Sequence, residues 1–210
     1  MHLLSEEEFQ LSAQPMMQKV FREDREWYFL FKDEIDTKRI LYELNLYTSH
    51  GSRQMLLSAL VEAAKSIDDE ACYLSEMHFG PKERKHACIP LSELLEGFTA
   101  TSEMSEKLIT NKLNIDSPIY FVIYSEQGKW GLFPSFEHFG FLGGSPDFMH
   151  VIESRVPGLE VQTYEFLQYI QGENTSREIT AQSRPRVKYL LEHMYGSIKA
   201  ERFLQETGWY

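Results

Sequence analysis

Asp116-Ser-Pro-Ile119-Tyr-Phe-Val-Ile-Tyr124-Ser-Glu-Gln-Gly128-Lys-Trp130-Gly-Leu-Phe133 is followed by Pro134-Ser-Phe-Glu-His-Phe-Gly140-Phe-Leu-Gly143-Gly144-Ser145-Pro146. Ile119 to Tyr124 is a continuous run of β-branched and aromatic residues, which favours a strand covered on both faces. Gly128 then marks a turn, and Trp130 to Phe133 reads as the returning strand of a hairpin. Gly140-Phe-Leu-Gly143-Gly144 reads as a bend in which at least one of the paired glycines takes positive φ. Ser145 followed by Pro146 signals a helix start, with the serine as cap and the proline in the first turn. That helix runs to Val156, with Phe148, Ile152 and Val156 on one side, and Pro157-Gly158 ends it.

Working outward, Ser5-Glu-Glu-Glu8 has the spacing of a capping box and predicts a short helix to about Ala13. Trp27 to Phe31 reads as a buried strand. Thr37 to Thr48 fits two patterns: Ile40, Leu41 and Leu44 recur at helical spacing, while Leu44, Leu46 and Thr48 alternate as in a strand. Ser52 caps a helix over about 53–67, whose apolar stripe is Met55, Leu56, Leu60, Ala63, Ala64 and Ile67. Ala71 to Met77 and Lys85 to Ile89 pair as a hairpin around Gly80-Pro81. Short helices are predicted over 92–96 and, more exposed, over 99–115. Another follows over 163–170.

Runs of paired strands separated by helices, without strict β-α-β alternation, predict an α+β fold. Its sheet is mainly antiparallel, built from hairpins, with helices packed on it. The domain reading is a core over 1–171, a polar linker over 172–184 and a C-terminal helical pair over 185–210. Pro185 opens the first helix of that pair, and Ser197 caps the second.

The chain has 210 residues, 42% of them hydrophobic and 13% aromatic, enough for a sizeable core. It carries 21 basic and 32 acidic residues, for a net charge of −11. Such a balance argues against a nucleic-acid partner, which needs basic surface. Cys72 and Cys88 are the only cysteines, and neither belongs to a CxxC pair. Two isolated cysteines point to a reducing, cytoplasmic setting. There is no secretory leader pattern and no apolar run long enough to span a membrane. No cofactor is expected, since neither a P-loop nor a dinucleotide-binding glycine pattern is present.

Three constellations could carry chemistry. Glu137, His138, Asp147 and His150 mix carboxylates with imidazoles near the glycine-rich segment, where an acid–base pair could be built. Asp147 also fits plain helix capping. His86 and Cys88 share one face of a strand, and His78 lies near its partner strand, so His78, His86 and Cys88 form a possible three-ligand metal set. Cys72 could meet His86 across the hairpin as a nucleophile–base pair.

No catalytic signature is complete. The leading expectation is therefore a small acidic, non-catalytic protein-binding protein, of the inhibitor or immunity type, which neutralises a basic partner. A hydrolase or transferase centred on Glu137, His138, Asp147 and His150 is the alternative. Binding surface is expected at Asp68, Asp69 and Glu70, three consecutive acids solvated at a helix end. It is also expected at Phe136, Phe139 and Phe141, rings that flank glycines.

Overall fold

A computed structural model of the chain describes residues 1–22, 31–42, 50–77, 84–94, 121–134, 139–173 and 177–209. Strands β1 (His2–Leu3), β2 (Thr37–Tyr42), β3 (Ala71–Glu76), β4 (His86–Pro90), β5 (Phe121–Ser125), β6 (Trp130–Pro134) and β7 (Phe139–Gly144) form one sheet. Its order is β1-β4-β3-β5-β6-β7-β2, and every pairing is antiparallel. The fold is α+β, as the pattern of paired strands predicts.

Strand alternation splits the core in two. Cys72, Leu74, Phe121, Ile123, Trp130, Leu132 and Leu142 point to one face. There α3 (His50–Ser66) and α4 (Pro146–Arg155) cover them, through Leu56, Leu60, Ala63, Phe148 and Ile152. Ile40, Val122, Tyr124, Phe133 and Phe141 point to the other face. The N-terminal helix covers part of that face. It runs as α1 (Glu6–Glu8), a wider π-helical segment (Phe9–Ala13) and α2 (Gln14–Val20). The rest is covered by α5 (Leu159–Glu173), α6 (Arg177–Tyr195) and α7 (Ser197–Glu206), which supply Phe166, Leu190, Leu191 and Phe203. All five residues of β5 are buried because both faces are roofed.

The capping box at Ser5 is formed on both sides, and the helix it opens continues past Ala13 to Val20. Pro15 sits in the first turn of α2, directly after the π-helical segment. Ser145 caps α4 by accepting from the Phe148 N–H. Of Trp27 to Phe31, only Phe31 is among the described residues, and it bridges Phe21.

Several expectations are corrected. The glycine-rich segment is not a bend but strand β7, paired along its length with β6 and β2. Gly143 and Gly144 do not take positive φ; Gly128, at the β5–β6 turn, does, at 73°. The glycines of this region serve close approach. A Cβ on Gly144 would lie 2.6 Å from the Phe148 ring, and one on Gly131 would lie 2.5 Å from the Phe21 ring. Helix and sheet can meet there only without a side chain.

Thr37 to Tyr42, the half of its segment that fits helical spacing, is a strand, because pairing with β7 overrides local spacing. Residues 43–49 lie outside the described residues, as does the predicted helix over 99–115. Pro185 does not open its helix; α6 begins at Arg177 and carries Pro185 inside, so residues 177–184, assigned to a polar linker, are helical.

Strand β2 is an edge, yet two of its outward N–H groups are engaged by side chains. The Tyr195 hydroxyl accepts from Ile40 N at 2.9 Å, and Gln162 Oε1 accepts from Tyr42 N at 2.9 Å. Side chains of α5 and α6 thus occupy the donors that another strand would use.

Candidate functional site

The α3 end, the start of β3 and the β5–β6 turn meet at one corner of the sheet. Helix α3 ends there in a Schellman arrangement: Asp68 N bonds to Lys65 O at 3.2 Å, and Asp69 N bonds to Ala64 O at 3.1 Å. That geometry needs a left-handed residue, normally glycine; here Asp68 takes it, with φ 65°. The next residue is turned inwards. Asp69 is 2% exposed, and its carboxylate accepts from Trp130 Nε1 at 2.7 Å and Ser125 Oγ at 3.1 Å. Burial raises its pKa above the usual carboxylate value, while those two hydrogen bonds work against the rise. Asp69 is therefore not solvated, contrary to the expectation for this acidic run. A buried indole N–H needs an acceptor, and Asp69 provides it.

Asp68 and Glu70 remain exposed. Glu126, from the β5–β6 turn, joins them: its carboxylate accepts from Glu70 N and, at 2.9 Å, from Ala71 N. Gln127 Nε2 ties the same turn to Asp68 O at 2.8 Å. Three carboxylates, Asp68, Glu70 and Glu126, thus share a corner fixed by backbone hydrogen bonds. Sequence reasoning misses Glu126 because 56 positions separate it from Glu70.

Elsewhere, four arginines are paired with acids. Arg155 pairs with Glu62 at 2.6 Å, Arg22 with Asp33 at 2.7 Å and Arg202 with Glu160 at 2.5 Å, and Arg39 pairs with Glu153.

The other anticipated residues are dispersed. Asp147 and His150 are exposed on α4, three positions apart on one side of the helix. Glu137, His138 and Phe136 lie outside the described residues. Phe141 is buried in the core, and Phe139 is half-buried with its ring edge-on to Phe166 at 5.1 Å. Phe141 therefore offers no outer surface, because β7 is roofed on both faces.

His86 and Cys88 do share a face, and His78 lies outside the described residues. Ser75 Oγ lies 2.8 Å from His86 Nδ1 and 2.8 Å from the Tyr124 hydroxyl, making a buried polar chain. The His86 ring stacks on Phe9 at 3.4 Å, and burial lowers its pKa to about 4. It is thus a neutral, structural histidine. Among the described residues no group of three His, Cys, Asp or Glu side chains could hold a metal ion.

The Cys72–His86 pairing fails on parity. Cys72 is opposite Ile89 in the hairpin and points to the α3 face, whereas His86 is opposite Ser75 and points to the other. Burial pushes the Cys72 thiol well above its ordinary value, so it is a poor nucleophile. Among the described residues no helix is long and apolar enough to cross a membrane. In comparisons with known proteins, no family model, no curated protein and no solved structure matches the chain.

Proposed function

We propose that this is an acidic, non-catalytic protein-binding protein that docks a basic partner through the corner of Asp68, Glu70 and Glu126. An inhibitor or immunity-type protein is the form this reading takes. The observation that carries it is Asp68. A left-handed position at a helix end favours glycine, yet an exposed carboxylate stands there beside two others. The net charge of −11 gives the whole molecule the sign that steers a basic partner. Cys72 and Cys88 are free thiols on opposite faces of the sheet, which suits the reducing cytoplasm.

The test is surface plasmon resonance against the basic protein that the chain retains from an extract of its source organism. Wild type is compared with an Asp68→Ser/Glu70→Ser variant at about 0.1 M and 1 M salt, between which the Debye length falls from about 10 Å to about 3 Å. Slower association in the variant and in high salt is expected, with dissociation nearly unchanged. An association rate indifferent to both would overturn docking through this corner.

A further inference from the structure

A second feature lies away from the acidic corner, at the N-terminal helix. Residues 5–13 run as a strap between two fixed points. On one side Leu4 N bonds to His86 O at 2.8 Å, and on the other Lys32 N bonds to Val20 O at 2.9 Å. Between them α1 buries no residue, and the π-helical segment buries only Phe9 and Ala13. Leu11, in the same segment, is 75% exposed. Few side chains therefore hold the strap to the sheet. Its π-helical turn, in which Gln14 N bonds to Phe9 O, is of a rare kind that is frequent at functional sites.

Phe9 rests on His86. The two rings stack at 3.4 Å with 9° between their planes. The other polar contact of the imidazole is a hydroxyl, Ser75 Oγ, which in turn meets the Tyr124 hydroxyl. Two charged groups act on the ring from its surroundings: Glu6 on α1 favours a proton, and Arg84, ahead of β4, opposes one. Tyr73 and Ser75 of β3, Tyr124 of β5 and Cys88 of its own strand share its side of the sheet and are neutral. His2 of β1 stands opposite Cys88.

A proton on His86 thus places a cation out of water, bonded to a hydroxyl rather than a carboxylate. Burial is the largest cause that holds this imidazole at about 4. Lifting Phe9 returns the ring to water, where its ordinary value is 6.5. Between those two values the lifted form binds one proton more than the closed form. We propose that residues 5–13 are an acid-released strap: protonation of His86 detaches Phe9 and frees the strap from the sheet while the rest of the fold stays in place. Ser12, whose side chain bonds to Tyr73, leaves with it.

The experiment is hydrogen exchange of the full chain, resolved by NMR from pH 7 to pH 4.5, with each rate divided by that of an unstructured peptide at the same pH. Amides of residues 10–14 should exchange faster than those of residues 57–63 in α3 throughout. Below pH 6.5 the protection of 10–14 should fall about tenfold per pH unit, the linkage of one proton. In His86→Phe, which keeps a ring against Phe9 and cannot titrate, the fall should drop below about twofold per pH unit. In the wild-type chain the ring shifts of His86 should follow the same curve as the loss of protection. Equal protection of the two segments would overturn the proposal. So would a tenfold fall that persists in His86→Phe, or a His86 ring that titrates while residues 10–14 stay protected.

Discussion

The two faces of the sheet are built from different materials. Under α3 and α4 the core is mostly aliphatic, with Leu56, Leu57, Leu60, Ile123, Leu132 and Ile152, and it buries the polar contact of Asp69 with Trp130. Under the N-terminal and C-terminal helices the core is rich in rings: Phe21, Phe31, Tyr124, Phe133, Phe141, Phe166 and Phe203. That second face also buries polar groups that answer one another across long sequence distances. Ser75 joins Tyr124 to His86, and Tyr195 joins Thr163 to the β2 edge. A face made of periodic aliphatic residues depends chiefly on volume, with the buried Asp69–Trp130 contact as its exception. One that buries imidazoles and hydroxyls depends on volume, hydrogen bonding and protonation together.

The largest effect should come from the glycines that let helices approach each face. Gly131→Val drives a side chain into Val20 and Phe21 on the ring-rich face, and Gly144→Val drives one into Phe148 and Trp130 on the aliphatic face. Each should cost about 1–3 kcal/mol or more in chemical denaturation. Gly158→Val tests strain without crowding, since nothing lies within 4 Å of its Cβ position although φ is 77°. Equal stability of Gly131→Val and Gly144→Val with wild type would remove close approach as the reason for these two glycines.

Acid should separate the faces next. Burial holds both His86 and His193 at about 4, and Lys38 and Arg22 push His193 in the same direction. Both histidines belong to the ring-rich side. Between about pH 4 and the ordinary histidine value of 6.5 the unfolded chain binds more protons than the fold, so stability falls as pH drops through that window. Melting temperatures taken from pH 7 to pH 4.5 should decline, and His86→Phe should decline less steeply. A decline unchanged in His86→Phe would mean that His86 is not the buried, neutral group described here.

The smallest effect is expected at Asp68. Asp68→Gly relieves a left-handed aspartate and should stabilise the fold by about 0.5 kcal/mol, offset in part by the freedom glycine gains when unfolded. A loss of stability in this variant would show that the carboxylate contributes to the fold rather than to the surface.

Legibility followed locality. The capping box at Ser5, the Ser145-Pro146 helix start, the α3 stripe apart from Met55, which is exposed, and the β3–β4 and β5–β6 hairpins are set by residues a few positions apart, and the sequence displays them. The glycine-rich strand misleads because glycine marks both a bend and a close contact, and only the positions of Phe21 and Phe148 decide between them. Thr37 to Tyr42 misleads because a strand paired on one side and roofed by α5 can carry helical spacing. In the candidate site, Asp68 and Glu70 were legible as surface acids. Asp69 was not, since its partners Ser125 and Trp130 are supplied by a distant hairpin.

The central claim is that three consecutive acids divide their work: Asp69 is a strut inside the fold, while Asp68 and Glu70 belong to a docking surface. Thermal unfolding of the single variants Asp68→Ser, Asp69→Ser and Glu70→Ser at pH 7 tests this division directly. The account predicts that only Asp69→Ser loses stability, by about 1–3 kcal/mol, because it leaves the Trp130 indole N–H buried without its acceptor. The other two should melt with wild type or slightly above it. Three equal melting temperatures, or a loss confined to Asp68→Ser or Glu70→Ser, would contradict it.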